Sequence, residues 1–406
     1  MVRAKILLAG LLVVLAAPGP KASATASQPT APAAVASSEL NPQDATTPTP
    51  SATATPAPTA EPTHTPVPSH SVTATRAPIA GAVSGFVSRN GPHLMVQGRP
   101  FRFDGLNVYD AGAANSAQPC GYSGASFDDD LTAIGNGEEV VRAWFFQQLA
   151  TTGGQRDWTP FDTTLALARA HGVRVIFVLA NQWGYCDGGI TRTLAWYQGG
   201  YKTQVDPGSL VPYRQWVAQA VARYAGNPTI ALWQLVNEGE ARNPGGSCSE
   251  ASAAQALRSF ADDVGGVIRS ADHNHLIALG TVAMECGSDE TDYQTINASP
   301  AIDVCDYHDY GSPTAAMPGD QYNGLLASIT RCHALNKPIV VAEVGIHSNP
   351  VGGIAQRAAL FDQKFSAAFN AGVDGELLWD WSMYAPSGGD YEIGPGDPAL
   401  ALLSKY

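Results

Sequence analysis

The chain has 406 residues, of which 45% are hydrophobic and 15% are charged, and its formal net charge at pH 7 is -13. This content is enough to bury a sizeable core in one barrel or in two ordinary domains. Neutralising phosphates requires clustered Lys and Arg, and the acidic chain has no basic run, so we expect no nucleic-acid partner.

Residues 1–24 have the pattern of a secretory signal peptide. Arg3 and Lys5 precede the apolar run ILLAGLLVVLAA, and small residues follow it up to a cleavage position near Ala24. The run is short for a membrane span, so we expect cleavage, a secreted extracellular protein and no membrane contact afterwards. The alternative is an uncleaved anchor, which would tether the chain to the cell surface.

Residues 25–80 consist mainly of Ala, Thr, Ser and Pro, with almost no large apolar side chains. Such a segment buries too little surface to offset the entropy of ordering, so we interpret it as a disordered linker. Ser and Thr among prolines suit O-linked sugars, and a bare spacer explains the composition equally well. The folded domain is predicted over residues 81–406.

Residues 81–406 alternate between strand and helix patterns. A hairpin pattern leads into a first buried strand, FRFDGLNVY, and the second is GEEVVRAWFF. Amphipathic helical patterns then alternate with apolar runs up to an eighth strand in GELLWDWS. Eight strands alternating with helices over about 320 residues predict an α/β fold, a parallel (β/α)8 TIM barrel. The alternative is a doubly wound open sheet, but no GxGxxG motif follows the first strand.

Polar and aromatic side chains follow the predicted strands, at the end where barrel enzymes carry their sites. The fourth strand, in NPTIALWQLVNEGE, ends in Asn237 and Glu238, and the seventh, IVVAEVG, carries Glu343. Two carboxylates across one barrel opening suit acid–base work on a glycosidic bond, and a separation of about 5 Å predicts retention of configuration. Further candidates at strand ends are Asn107, Tyr109, Arg142, Trp144, Asn181, Trp183, His308, Asp309, Tyr310, Trp379, Asp380 and Trp381.

PTIALWQLVNE, together with VVRAWFF, DYHDY and PIVVAEVG, resembles glycoside hydrolase family five, a family of retaining glycosidases built on this barrel. The resemblance covers residues 101–391. Within the family, LANQW, the helix PYRQWVAQAVARYAGNPTI and the late GDYEI are most similar to the β-mannanase-type members.

The resemblance implies Glu238 as the acid/base and Glu343 as the nucleophile. Arg142 is implied to orient the nucleophile and keep it ionised. The other residues implied to bind substrate or to support the site are Asn237, which would hold a sugar hydroxyl, His308, Tyr310 and Trp379, the platform under the sugar ring. LANQW departs from the family because many members have a histidine there, which assigns Asn181 or Trp183 to the adjoining subsite.

The predicted function is therefore a secreted retaining endo-β-1,4-glycanase that acts as a monomer on a polysaccharide, with mannan or glucomannan as substrate. The alternatives are a cellulase-like endo-β-glucanase and a non-catalytic carbohydrate-binding barrel. We expect no cofactor and no metal, because HTPVPSH and DHNH lack the spacing of a metal site.

Several of these residues also have a structural explanation. A buried arginine needs a carboxylate partner, so the structural alternative for Arg142 is an ion pair with Glu138, Glu139 or Asp104. His308 can be a core histidine. Among the tryptophans we expect Trp381 to lie where sugar faces stack, and burial statistics favour packing for Trp144, Trp196, Trp216 and Trp233.

Three further carboxylates, Asp309, Glu240 and Glu285, compete with the predicted pair. Glu240 is expected to solvate a loop beyond Glu238, and Glu285 is the alternative catalytic acid. The six cysteines of an exported chain predict disulfides, and six allow 15 pairings. Their positions after the predicted strands favour bridges between loops at the substrate face, in the set Cys120–Cys186, Cys248–Cys286 and Cys305–Cys332.

Overall fold

The computed structural model describes residues 83–113, 120, 126–135, 140–283, 285–320, 322–385 and 390–406. The predicted signal peptide and linker lie outside these ranges, as do Glu138 and Glu139. Within them, none of the helices combines the length and the apolar content that a bilayer span needs.

Eight parallel strands form the central sheet, and they are numbered one to eight in chain order. Their bounds are Phe103–Asn107, Val140–Trp144, Arg174–Val178, Ile230–Gln234, Leu276–Ala278, Cys305–Asp309, Ile339–Gly345 and Gly375–Trp379. In space the order is five, four, three, two, one, eight, seven, six. A parallel bridge between Ala278 and Val304 joins strand five to the start of strand six, which closes the sheet into the predicted TIM barrel.

Helices lie in every crossover between consecutive strands. The longer ones are Phe127–Ile134, Thr159–His171, Tyr213–Tyr224, Glu250–Ala271, Glu290–Asn297, Leu325–Ala334 and Ile354–Ala371. The short ones are the π-turn Trp196–Gly200, Tyr201–Thr203 and the 3-10 turns Tyr109–Gly112, Gln147–Ala150 and Pro398–Ser404. Two of the longer helices, Phe127–Ile134 and Glu290–Asn297, have only eight residues each and begin with acidic turns. Their apolar periodicity is too short for the sequence to predict a helix there.

The third-crossover helix shows how the sequence pattern positions these elements. Tyr213–Tyr224 buries residues three or four positions apart, among them Trp216, Val217, Ala220 and Val221. Strand packing is equally specific at Gly105, where a β carbon would lie 1.9 Å from the carbonyl oxygen of Val140. Glycine therefore permits the close approach of strands one and two.

The predicted hairpin lies before strand one. Strands Val87–Asn90, His93–Val96 and Arg99–Pro100 form a three-stranded sheet. The amide of Leu94 donates to a carboxylate oxygen of Asp374 at 3.3 Å, and Asp374 immediately precedes strand eight. The hairpin therefore packs at the end of the barrel where the strands begin.

The three predicted disulfides are all present: Cys120–Cys186, Cys248–Cys286 and Cys305–Cys332. The first two join loops that follow strands. The expectation that all three lie at the substrate face is wrong for the third pair. Cys305 is the first residue of strand six, and Cys332 is near the end of the helix Leu325–Ala334, so this bridge lies at the opposite end of the barrel.

Candidate active site

Glu238 and Glu343 meet at the opening where the barrel strands end. Glu343 lies within strand seven and is 2% exposed, whereas Glu238 follows strand four by four residues. One carboxylate oxygen of each, and a ring nitrogen of His308, all lie within 4.8 Å of one another. The structure therefore brings together the two carboxylates that the sequence placed on separate strands.

The segment that carries Glu238 is held from both sides. Strand four ends at Gln234, but the amide of Leu235 donates to the carbonyl of Ala278 at 3.0 Å, and the amide of Asn237 donates to the carbonyl of Ala180 at 2.7 Å. Glu238 has a φ of 55°. The chain therefore turns out of the sheet at this residue, and its side chain reaches the opening.

Arg142 is fully buried in strand two and organises the site through its guanidinium group. Its donors contact four side chains, at 2.6 Å for Glu343 Oε1, 2.6 Å for Asn237 Oδ1, 2.8 Å for Gln234 Oε1 and 2.9 Å for Asn107 Oδ1. The partner of its charge is therefore the candidate nucleophile. A planar guanidinium with several aligned acceptors fixes the orientation of that carboxylate.

His308 and Tyr310 complete the contacts to the two glutamates. The Tyr310 hydroxyl donates to Glu343 Oε2 at 2.5 Å. His308 Nδ1 lies 3.0 Å from Glu238 Oε1 and 3.5 Å from Glu343 Oε2, and the ring is buried. Among the described residues nothing hydrogen-bonds its Nε2. His308 therefore connects both carboxylates, which distinguishes it from a core histidine.

The two carboxyl groups differ in acidity. Burial raises the pKa of Glu343, although His308 and Arg142 oppose this increase. Burial also acts to raise the pKa of Glu238, but the hydrogen bond and charge of His308, together with Trp183 and Arg142, lower it below its usual value. The charge of Glu238 also acts on Glu343, so the two carboxyl groups titrate as a coupled pair.

Trp183 lies on the loop after strand three and contacts Glu238 directly. Its indole Nε1–H donates to Glu238 Oε2 at 2.5 Å, and the residue is 43% exposed. The loop is anchored by the disulfide at Cys186 and by Arg192, which donates to Asp187 at 2.7 Å. The sequence predicted that Trp183 contacts the substrate. It did not predict the hydrogen bond to Glu238, because that contact depends on how the loop folds.

The oxygen and the nitrogen of the Asn237 side-chain amide both form hydrogen bonds. Its Oδ1 accepts from Arg142, and its Nδ2 donates to Asn181 Oδ1 at 3.1 Å. Asn181 is also held by the carbonyl of Tyr185, to which its Nδ2 donates at 2.9 Å. These contacts fix Asn237 beside Glu238.

Aromatic rings line the strand-eight side of the opening. Trp379 is partly buried and stacks on Tyr109 with ring centroids 5.6 Å apart and an interplanar angle of 16°. Trp144 is buried and packs 4.6 Å from Tyr109. Trp381 is 3% exposed and donates to Asp130 Oδ1 at 2.8 Å, so the expectation that it stacks on sugar is wrong. The other tryptophans predicted to pack, Trp196, Trp216 and Trp233, are buried.

A sequence model of the family described as Cellulase (glycosyl hydrolase family 5) matches residues 127–384, a range that contains both glutamates and their partners. The chain belongs to glycosyl hydrolase family 5. It is therefore a glycoside hydrolase, and the predicted family resemblance is confirmed.

This glycosidase is similar to several curated relatives. It is 25% identical over 345 residues to mannan endo-1,4-beta-mannosidase A from Hypocrea jecorina, covering 76% of this chain and 74% of the relative. It is 25% identical over 337 residues to mannan endo-1,4-beta-mannosidase A from Podospora anserina, covering 74% and 85%. The solved endo-1,4-beta-mannanase of Rhizomucor miehei matches with a TM-score of 0.59 at 17% identity, over 79% of this chain and 99% of that one, which supports the shared barrel fold.

The competing carboxylates of the glycosidase have other surroundings. The expectation that Glu240 solvates a loop is wrong, because it is 2% exposed and forms an ion pair with Arg242. Burial raises the pKa of Glu240 to about 7. Glu285, the alternative acid, accepts from the same arginine at 2.5 Å, and Asp309 pairs with Lys364 at 2.8 Å. Each of these three has a basic partner.

Sequence reasoning gave no role to Asp380, which directly follows Trp379. It is 6% exposed, and burial, with the charges of Glu392 and Glu343, raises its pKa to about 8. The one signal in the sequence was its position at the end of strand eight.

Proposed function

We propose that this family 5 glycosidase is a retaining endo-β-1,4-mannanase that hydrolyses mannan or glucomannan. The observation that carries the mechanism is the approach of the Glu238 and Glu343 carboxylate oxygens to within 4.8 Å. Retaining glycosidases place their carboxyl groups about 5 Å apart, whereas inverting ones need about 6.5 to 9.5 Å to admit water. The names of the relatives, mannan endo-1,4-beta-mannosidases, support the substrate.

In the first step, Glu343 attacks the anomeric carbon and Glu238 donates a proton to the leaving glycosidic oxygen. Arg142 at 2.6 Å and the Tyr310 hydroxyl at 2.5 Å hold the Glu343 carboxylate in one orientation. These contacts leave the nucleophile little freedom to rotate, which favours attack. Trp379 is the platform beneath the sugar that is attacked.

In the second step, Glu238 accepts a proton from water, and the resulting hydroxide attacks the glycosyl-enzyme and releases Glu343. Glu238 suits this exchange because its side chain is 17% exposed, whereas that of Glu343 is 3% exposed. Water therefore reaches the acid/base more readily than the nucleophile. Asn237, fixed beside Glu238, is placed to hold the neighbouring sugar hydroxyl.

The proton distribution of the free site must change when substrate binds. The pKa of Glu343 is raised and that of Glu238 is lowered in the free site, whereas the first step needs Glu238 protonated. A bound sugar covers Glu238 and removes its contact with water, which raises the pKa of that carboxyl group. Arg142 and Tyr310 remain on Glu343 and favour its ionised form.

The exported state is part of the same proposal. Residues 1–24 would be removed as a signal peptide, and residues 25–80 would link the barrel to the new N-terminus. Three disulfides support folding in an oxidising compartment.

A second candidate is an endo-β-glucanase on the same barrel. The observation that favours it is the description of the matching family model, which is Cellulase. Both activities use the same two glutamates, so the subsites beyond the reacting sugar decide between them.

A reducing-sugar assay on mannan, glucomannan, carboxymethyl-cellulose, xylan and β-1,3-glucan tests the substrate. We expect the mannans to be cleaved, and cleavage of glucans alone would refute the mannanase assignment. Nuclear magnetic resonance of the first product tests the stereochemistry, where the β-anomer is expected. Glu343→Gln should abolish hydrolysis and keep oligosaccharide binding, and full activity of this variant would refute the nucleophile assignment.

A further inference from the structure

Asp380 lies in a rigid segment beside the two catalytic glutamates. Its carbonyl oxygen accepts from the amide of Ile393 at 2.7 Å, and the amide of Trp381 donates to the carbonyl of Asn107 at 2.9 Å. The residue is 94% buried, since its exposure is 6%. Its backbone is therefore held between strand one and the segment around Ile393.

The carboxyl group of Asp380 has no side-chain partner among the residues that the structure describes, and its one hydrogen bond is to its own backbone. Within the described ranges, no side chain donates a hydrogen bond to it and no basic residue forms an ion pair with it. Other buried carboxylates of this barrel do have such partners: Asp397 pairs with Arg357 at 2.5 Å, and Asp309 pairs with Lys364 at 2.8 Å. An unpartnered buried carboxyl is costly for the fold, and such groups are typical of ligand sites.

The groups that face Asp380 are acidic or phenolic. The carboxylates of Glu392 on the late segment, Glu343 on strand seven and Asp110 after strand one act on it, and all raise its pKa. Oε2 of Glu392 is itself buried, with no hydrogen-bond partner in the described chain. Within the described residues neither of these carboxyl groups accepts a side-chain hydrogen bond, and the charge of Glu343 acts on Asp380.

Asp380 follows Trp379, the last residue of strand eight, which pairs with Gly345 at the end of strand seven. Burial raises the pKa of Tyr310, and the charges of Glu343 and Asp380 add to this effect. Burial likewise raises the pKa of Tyr109, with a contribution from Asp380. Tyr109 stacks on Trp379, and Tyr310 contacts Glu343, so the charge of Asp380 acts on groups of both the aromatic platform and the nucleophile.

We propose that Asp380, together with Glu392, binds a hydroxyl group of the sugar unit that lies next to Glu343. This inference rests on the proposed glycanase function and adds a contact that the two-glutamate mechanism does not use. A sugar hydroxyl both donates and accepts hydrogen bonds, so it can accept from the Asp380 carboxyl and donate to an oxygen of Glu392.

The raised pKa of Asp380, about 8, agrees with this role. A carboxyl whose pKa is raised is protonated below that value, so at neutral pH Asp380 is a neutral donor and adds no negative charge beside Glu343. The donor is lost as the pH rises through about 8.

Two substitutions separate hydrogen bonding from charge. Asp380→Ala removes the contact, whereas Asp380→Asn keeps a donor and the shape of the side chain. Asp374→Asn is the matched control, because Asp374 is also a buried aspartate with a raised pKa of about 6, but it precedes strand eight at the opposite end of the barrel. All three are made in the Glu343→Gln background, so that oligosaccharides bind without being cleaved.

Calorimetric titration with mannohexaose at pH 6 is the test, with cellohexaose as the second ligand. We expect Asp380→Ala to weaken binding about tenfold, the loss typical of one buried hydrogen bond. Asp380→Asn and Asp374→Asn should stay within about twofold of the parent. Unchanged or tighter binding by Asp380→Ala would overturn the proposal.

Further outcomes are also decisive. If Asp380→Ala does not fold, Glu392→Ala replaces it: binding weakened severalfold supports the proposal, and parental binding refutes it. If the parent binds only cellohexaose, the mannanase assignment fails and the same variants test Asp380 with that ligand. If the parent binds neither oligosaccharide, both proposals are wrong.

Discussion

Replacing Trp183 by phenylalanine tests how the acid/base is controlled. The change keeps an aromatic ring and removes the indole N–H that donates to Glu238 Oε2 at 2.5 Å. This hydrogen bond lowers the pKa of Glu238, acting with His308 against the effect of burial. Without it the ionised carboxylate loses a donor, so the pKa of Glu238 rises.

The size of the effect follows from the exposure of the contact. A hydrogen bond to a charged group contributes about 1.5 to 3 kcal/mol, and a pKa unit corresponds to about 1.4 kcal/mol. Trp183 is 43% exposed, so water replaces much of what is lost. We therefore expect only part of this free energy to appear as a rise in the pKa of Glu238.

The assay is the pH profile of kcat/KM for a soluble mannooligosaccharide, because its limbs report groups of the free enzyme. Activity requires a proton on Glu238 and falls at alkaline pH as that proton is lost, so the alkaline limb of Trp183→Phe should move to higher pH. Trp233→Phe is the matched control, since its indole donates to Asp272 at 2.7 Å inside the core. The control should lose stability without moving the limb. An unmoved limb in Trp183→Phe, or a shift to lower pH, would refute the reasoning.

Three further predictions concern the buried arginine of the site, one disulfide and one buried aspartate. Arg142→Lys keeps the charge but not the four aligned contacts, and it should lower kcat at least 100-fold, with retained activity contradicting the orienting role. The double substitution Cys120→Ser and Cys186→Ser opens a loop of 66 residues. It should lower the free energy of unfolding, measured by denaturant titration, by up to about 4 kcal/mol. An unchanged midpoint would contradict this prediction. The pKa of Asp272 is lowered to about 2, because the hydrogen bond and charge of His275 outweigh the effect of burial. Ionised Asp272 therefore stabilises the folded protein above about pH 4, and this stabilisation is lost as the pH falls towards 2. Unfolding titrations should show a loss of about 2 kcal/mol across that range, which Asp272→Asn does not show.

The barrel and its two glutamates were predictable because both depend on local patterns. Each buried strand appears as an apolar run, and strand ends in this fold converge on one opening. Glu238 and Glu343 follow or lie in such runs, so their roles could be inferred without knowing their separation. Helices with long amphipathic faces, such as Tyr213–Tyr224, were predicted for the same reason.

Other features could not be predicted because long-range contacts create them. Glu240 looked like a solvated loop residue, yet its amide donates to Gln182 Oε1 at 3.2 Å, and the side chain turns inward to Arg242. Trp381 looked like a sugar platform, yet it is held by Asp130 from a distant crossover helix. No local pattern distinguishes an inward from an outward side chain beyond the end of a strand.

The sequence alone determined the order of strands and helices and the family, and it predicted the two reacting carboxylates, because periodicity and short motifs carry that information. Only the tertiary structure decided how those carboxylates are controlled. The approach within 4.8 Å, the Trp183 hydrogen bond and the burial of Asp380 all arise where loops from different strands meet. Acidity depends on burial and neighbouring charges, and these are properties of the packed molecule rather than of any segment.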